Sequence, residues 1–422
     1  MLNMYSNQTG RCFLHCLILT VWALPAFAQD HELDHQPLQR SPSLTYAEVL
    51  ESALAAAPEF LASSAREGQV AAYKSMGRDL FAGNPILQTA YLDDSTVDNT
   101  GLSELEAGIS IPLWRPGQKQ QAQNLGQHYE SLFGAWQSYL QWQVAGRMRD
   151  AILSLQHAAA MLAFERQSLA NAEALEQLSL SLFDAGEVPE LDLLSTRALV
   201  LDQRNVVYDA EAELVDAERA YQVVTGFNRI PTPPYQESMH EEDEISSVHP
   251  WLAYLKVNAD VARSAVNQVQ IRSGTSPIIG LGYRRERDNR LGDYIDTLGV
   301  SLSIPLGKSS VVKTAMSDAR REEADLQVIL QQARISLNQM LHEAEHEAYV
   351  IGKKLAEVDT KVELNQQRWE KSRLAYELAE TNFYQVLMAL EDLHKSEKER
   401  RSLELELQLR IAEINQSLGI MP

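Results

Sequence analysis

Two stretches, Glu104–Ile111 and Thr297–Ile304, alternate apolar and polar residues one for one. In the first, Leu105, Ala107, Ile109 and Ile111 fall on one side, and Glu104, Glu106, Gly108 and Ser110 on the other. In the second, Leu298, Val300, Leu302 and Ile304 oppose Thr297, Gly299, Ser301 and Ser303. A period of two belongs to a strand with one apolar and one polar face. Less regular partners lie upstream, so the pattern predicts two hairpins, with strands at about 86–92 and 102–112 and at about 277–285 and 294–305. Polar loops, "DDSTVDNTG" and "RERDNRLGD", join them. Strands of this size approach the ~9–11 residues with which a tilted barrel strand crosses a bilayer. On the strands alone, hairpins packed on a soluble core fit equally well.

Behind each hairpin the period changes. No proline occurs from Gln118 to Ala185, or from Lys308 to Met421. Apolar residues recur at steps of three and four through Leu326, Leu330, Ala333, Leu337, Met340, Ala344, Ala348, Ile351, Leu355, Val358 and Val362. That spacing predicts a coiled-coil seam. A helix of ~65 residues rises ~100 Å, too long for a compact core. Each rod turns, at "FDAGEVPELD" and "YELAETNFYQ", into a shorter returning helix.

The hairpins and rods form a duplication. Pro58 and Pro250 lie 192 positions apart, as do "NPIL" (Asn84–Leu87) and "SPII" (Ser276–Ile279), and Tyr91 and Tyr283. Pro112 and Pro305, Phe183 and Tyr376, Glu187 and Glu380, and Leu194 and Leu387 are separated by 193. One register with a single-residue slip spans both halves, far longer than a solenoid period. It divides the chain into a first repeat, 44–229, a proline- and acid-rich linker or equatorial segment, 230–248, and a second repeat, 249–422.

Composition narrows the setting. The 422 residues carry a formal net charge of -21, which disfavours nucleic acid and anionic membrane surfaces as partners. Arg11, the apolar run Phe13–Ala23 and the small residues of "AFAQ" predict a secretory signal over 1–28, followed by a flexible segment over 29–43. Both cysteines, Cys12 and Cys16, fall in the signal and lack the context of a lipid-attachment site. An exported chain with no later apolar run long enough for a spanning helix enters a membrane only with strands. Four strands do not close a barrel, so chains must associate. Two would give eight strands and a filled interior, and three would give twelve strands and a lumen. The Glu, Ser, Gly and Thr of the polar faces favour three.

At this point the chain resembles the outer-membrane factors, the TolC-type efflux channels, over essentially the whole exported length. The match lies in the duplicated "SIPL" strand ends and the paired motifs Phe183-x-x-Gly186-Glu187 and Tyr376-x-x-Ala379-Glu380, each followed by a leucine-rich helix start. The resemblance implies a mainly α chain with a membrane β-barrel. Its duplicated strand–strand–helical-hairpin unit would form a homotrimer with a twelve-stranded barrel in outer-membrane lipid of a Gram-negative cell and a periplasmic helical tunnel. It further implies a periplasmic adaptor of the membrane-fusion type and an inner-membrane pump of the resistance-nodulation-division type. By position, adaptor contact falls to Gly186, Glu187, Leu191, Leu194, Ala379, Glu380 and Leu387. The periplasmic aperture falls to Gln385 and Met388, with Glu391 and Asp392 one turn further. Ala379 departs from the glycine of many members, which predicts a differently shaped second turn. "AETNFYQVLMALEDL" looks most like the heavy-metal or cation-efflux branch.

"HEAEH", His342–His346, matches the zinc-protease pattern HExxH. Its histidines sit about 200° from the predicted seam, among glutamates, and a rod supplies neither a third ligand nor a shaped cavity. A solvated face is the better reading. "HELDH", with His31 and His35, reads as a polar tail. The expectation is a passive duct for metal cations with no enzymatic activity and no cofactor. The same fold serving drug efflux or type I protein secretion, and a periplasmic coiled-coil scaffold without a channel, are the alternatives.

Overall fold

A computed structural model describes residues 37–240, 244–272, 276–306, 310–378 and 380–422. The predicted signal with Cys12 and Cys16, and the histidines His31 and His35, lie outside the described residues. Short elements come first: β1 (Gln39–Ser41), α1 (Tyr46–Ala56), a 3-10 turn (Pro58–Ala62) and α2 (Ser63–Met76). A hairpin, β2 (Ile86–Asp93) and β3 (Ser103–Pro112), leads into α3 (Gln118–Asp184) and α4 (Glu190–Thr225). After β4 (Arg229–Pro231), the order returns as α5 (Pro250–Arg272), β5 (Ile278–Arg287), β6 (Ile295–Ser303), α6 (Ser310–Glu377) and α7 (Phe383–Leu418).

The two long helices, 67 and 68 residues, each rise about 100 Å. Each packs antiparallel on a 36-residue partner, α3 on α4 and α6 on α7. The four strands form one antiparallel sheet in the order β2-β3-β5-β6, so the two hairpins join through β3 and β5. The sheet lies at one end of the rods and the helix turns at the other. Gly226 and Gly419, another pair 193 apart, close α4 and α7 in the left-handed region, at φ 71° and 79°. The repeats differ near their start, where Pro58 breaks the first repeat's helix into α1 and α2, whereas Pro250 opens an uninterrupted α5.

The seam of α6 departs from the expected one at a single position. Met340 is exposed and Leu341 is buried in its place. The buried series therefore runs Ala333, Leu337, Leu341, Ala344, Ala348, Ile351, with two consecutive steps of four. Such a stutter locally unwinds a left-handed supercoil. It falls where α6 changes partner. Ala333 and Leu337 pack with Leu252 and Leu255 of α5, while Leu341, Ala344 and Ala348 pack with Ile414 and Leu418 of α7.

Part of the segment predicted as a linker is buried. Tyr235 enters an apolar cluster with Val49, Met148 and Ile152, and β4 pairs in parallel with β1 inside the segment expected to be flexible. Glu237 meets the buried Arg149 of α3, with Arg149 Nε at 2.6 Å from Oε1 and Nη2 at 3.1 Å from Oε2. The same guanidinium donates to Ile420 O at 2.8 Å, and Asn415 Nδ2 donates to Glu237 at 2.7 Å. Burial pushes the Glu237 carboxyl up, but hydrogen bonds from Arg149, Tyr235 and Asn415 outweigh it and hold the group below its usual range. Removing one member of such a buried pair strands the other charge, at a cost of about 3–5 kcal/mol. The pair thus fixes linker, α3 and C-terminus in one arrangement.

The end of α7 abuts the start of α5. A Cβ on Gly419 would lie 2.7 Å from His249 Cδ2 and 2.9 Å from Pro250 Cδ, so only glycine fits. His249 is fully buried against the Trp142 edge, and its Nδ1 accepts the Trp251 N–H at 3.2 Å. Burial pulls its pKa down to about 4, partly offset by the backbone of Gln416. Because the unfolded chain binds this proton more readily, stability is retained above the unfolded value of 6.5 and is lost as pH falls toward 4. Between pH 7 and pH 5 His249 should cost about 2 kcal/mol. Chemical denaturation of wild type and His249→Gln at both pH values checks this, the expected outcome being a smaller loss in the variant.

Candidate functional site

The strand register turns the alternation of single strands into rows across the sheet. Leu87, Ile109, Leu281 and Val300 stand side by side on one face. Next to them run Thr89, Ala107, Tyr283 and Leu298, and on the helix side Ile111, Ile279 and Leu302. Leu298 is 85% exposed and Val300 75%. The opposite face has a row of Gln88, Gly108, Gly282 and Gly299, and another of Ile86, Ser110, Gly280 and Ser301. Three adjacent strands without side chains thin this face and let the sheet curl toward it. Among the described residues, no helix is long and apolar enough to cross a membrane; the sheet presents adjacent rows of exposed apolar side chains.

Toward its loop end the polar face becomes charged, through Glu104, Glu106, Arg284 and Glu286. The two hairpin loops are tied together there. Asp94 accepts the N–H groups of Thr100 at 2.6 Å and Gly101 at 3.0 Å, and Arg290 N–H donates to Thr100 O at 3.2 Å. Gly101 has φ 100°, and a Cβ there would strike the Arg290 backbone N at 2.5 Å.

At the far end, α3 closes with a Schellman turn. Glu187 N–H reaches Leu182 O and Gly186 N–H reaches Phe183 O, both at 2.9 Å, with Gly186 at φ 77°. Around the second turn, Glu380 N–H bonds Ala375 O at 2.8 Å, matching the first of these contacts. Ala379 itself lies outside the described residues. Gly186, Glu187 and Glu380 are exposed, as are Leu191 and Leu194, while Leu387 is half-buried against a cluster of Leu175, Tyr376, Phe383, Val386 and Leu390. The described residues among those predicted for adaptor contact thus gather at one end of the rods.

The equivalent residues Phe183 and Tyr376 have different surroundings. Tyr376 is 0% exposed, between the two helical hairpins, with its hydroxyl 3.2 Å from Ser179 Oγ and 3.5 Å from Asp192 Oδ2. Phe183 is 36% exposed. Burial raises the Asp192 pKa, against hydrogen bonds from the Tyr376 hydroxyl and the Phe383 backbone.

Of the predicted aperture residues, Gln385 and Glu391 are exposed and Met388 is half-buried. Asn382 caps α7 by accepting the Gln385 N–H at 3.1 Å. Asp392 is paired with Arg368 at 2.5 Å, so its charge is offset within the chain. Sequence reasoning missed the carboxylate buried deeper in the rods. Glu165 of α3 takes Lys398 Nζ at 2.7 Å and Gln203 Nε2 at 2.7 Å, with His394 Nε2 at 3.5 Å, joining α3, α4 and α7. The signal for it was a lone acid within an apolar stretch of α3. His342 and His346 are exposed with rings 6.5 Å apart, and among the described residues no group of three metal-ligating side chains is assembled.

No family model matches the sequence, and no curated protein matches it. Solved structures do share its fold. The transmembrane channel protein CusC is 14% identical and superposes with a TM-score of 0.71 over 91% of this chain and 97% of that one. The outer membrane protein VceC from Vibrio cholerae is 12% identical, with a TM-score of 0.71 over 89% and 96%. The open MtrE outer membrane channel of Neisseria gonorrhoeae is 12% identical, with a TM-score of 0.65 over 88% of each chain. The chain therefore has the fold of outer-membrane factor channels across both repeats.

Tyr376→Phe keeps the ring and removes the hydroxyl shared with Ser179 and Asp192. It should lower stability by about 1 kcal/mol, whereas Tyr376→Ala should cost about 3–5 kcal/mol through the cavity it leaves. Denaturation midpoints of the purified variants check both values.

Proposed function

We propose that this chain is one subunit of an outer-membrane export channel, a homotrimer whose sheets join into a twelve-stranded barrel and whose rods form a periplasmic tunnel. The observation that carries the reading is the four-stranded sheet, with an apolar face, a glycine- and serine-rich opposite face and edge strands β2 and β6 at its two sides. A lone sheet of this kind would leave edge backbone groups unpaired in lipid, and pairing β6 of one copy with β2 of the next removes both edges.

The tips support the same assembly. Tyr376 fills the junction between the two hairpins of one chain, beside Ser179 and Asp192. At the 193-residue offset, Phe183 would fill the equivalent junction between chains, beside Ser372 and Gln385 of the next copy. A phenylalanine without a hydroxyl suits a junction in which glutamine replaces aspartate.

Passive conduction needs no catalytic group, so the energy must come from a partner, an inner-membrane pump joined through a periplasmic adaptor. The adaptor would grip the exposed tip residues Gly186, Glu187, Leu191 and Leu194 and their second-repeat equivalents. The aperture would be formed near Gln385, Met388, Glu391 and Asp392. The proposed cargo is metal cations, on the net charge of -21. Likeness does not select the cargo, since CusC and VceC superpose equally well.

Neighbouring substitutions on opposite sheet faces test the reading. Leu298→Arg puts a charge on the apolar face, at about 2–4 kcal/mol near mid-bilayer, and should deplete the outer-membrane fraction of heat-modifiable trimer. Thr297→Arg, on the polar face, should leave it intact. Equal tolerance of both, or release of the wild type with the soluble periplasm, would favour the scaffold alternative.

A further inference from the structure

The loop end of the polar sheet face holds one cation among three carboxylates. Arg284 on β5 places Nε 2.5 Å from Glu104 Oε1 and 3.7 Å from Glu106 Oε1, both on β3, and Nη2 2.7 Å from Glu286 Oε2. The edge strands complete these two rows with Ala90 and Leu92 on β2 and Thr297 and Ile295 on β6, none of them charged. Toward the helices the same face continues through Gln88, the three glycines, Ile86, Ser110, Gly280 and Ser301, again without charge. The charges of the paired polar face are thus confined to one band, whose three acids and one base leave an excess of two negative charges per chain. The hairpin loops beyond the band keep that sign. Residues 94–102 contain two carboxylates and no base, and residues 288–294 contain two carboxylates against one arginine.

We infer that Arg284 sets the ion preference of the channel at its outer mouth, by offsetting one of the three carboxylates that would otherwise dominate the field there. This rests on the channel reading above. In a ring of three copies the band becomes nine carboxylates and three guanidiniums, on a wall of low dielectric that focuses the field across the lumen. The Arg284 side chain is 47% exposed, so it acts on passing ions as a fixed charge and holds none of them. Screening over ~10 Å at 0.1 M salt places the largest effect at low ionic strength.

The test is the reversal potential of the reconstituted full-length trimer in planar bilayers under a potassium chloride gradient at low salt. Wild type should prefer potassium to chloride. Arg284→Gln should raise that permeability ratio at least about twofold, and Arg284→Lys should keep it near the wild-type value. Thr297→Lys adds a positive charge to the same row without breaking an ion pair and should lower the ratio, so the proposal stays falsifiable if Arg284→Gln assembles poorly. A conducting channel whose ratio is unmoved by Thr297→Lys or by Arg284→Gln would overturn the role of Arg284 and leave the channel reading standing. A wild-type trimer that does not conduct would overturn both.

Discussion

Backbone amides and carbonyls on the outer sides of β2 and β6 need partners, and in lipid no water can supply them. The rest of the architecture depends on how that need is met. The sheet has rows of exposed leucine, isoleucine and valine on one side and glycines and serines on the other. It is built for apolar surroundings on one face and water on the other, and a single chain provides neither closure nor a lumen. In the proposed trimer, closing the edges with further copies would satisfy the hydrogen bonds, shelter the polar face and continue the rods as a tube. The duplication suits such a ring, because one hairpin geometry and one rod geometry would serve all six positions of the proposed trimer.

The rods carry this arrangement to the tips through a few specialised contacts. The stutter at Ala333, Leu337 and Leu341 lets α6 exchange α5 for α7 without a break in the helix. The Arg149–Glu237 pair and the His249 junction lock the middle of the chain. Buried polar groups such as these contribute less to net stability than apolar packing, yet they penalise alternative arrangements heavily. At the tips, Tyr376 is a fixed joint within the chain, and in the proposed trimer the half-exposed Phe183 would be its counterpart toward a neighbour.

Much of this was legible in the sequence because periodicity survives assembly. Alternation placed Leu105, Ala107 and Ile109 on one face, and the long proline-free runs placed the rods. The seam was misread at Met340, since strict alternation of three and four selects Met340, and only the change of helix partner makes the two consecutive steps of four that bury Leu341. Tyr235 and Glu237 looked like linker because proline and acid surround them, whereas their partners Arg149 and Asn415 are distant in sequence. The Arg284 band was hidden for the same reason. Strand register, not local pattern, brings Glu104 and Glu106 to an arginine in the other repeat.

Cysteine cross-linking tests the closed ring most directly. The two native cysteines, Cys12 and Cys16, both fall in the predicted signal, so an exported chain would present only introduced thiols. Leu298→Cys on β6 would be combined in turn with a cysteine at each of positions 86–92 on β2, and the protein oxidised in intact outer membranes. A ring of three predicts, at one register, covalent dimers and trimers with nothing larger. A ladder extending beyond three chains, or monomers at every register, would contradict it.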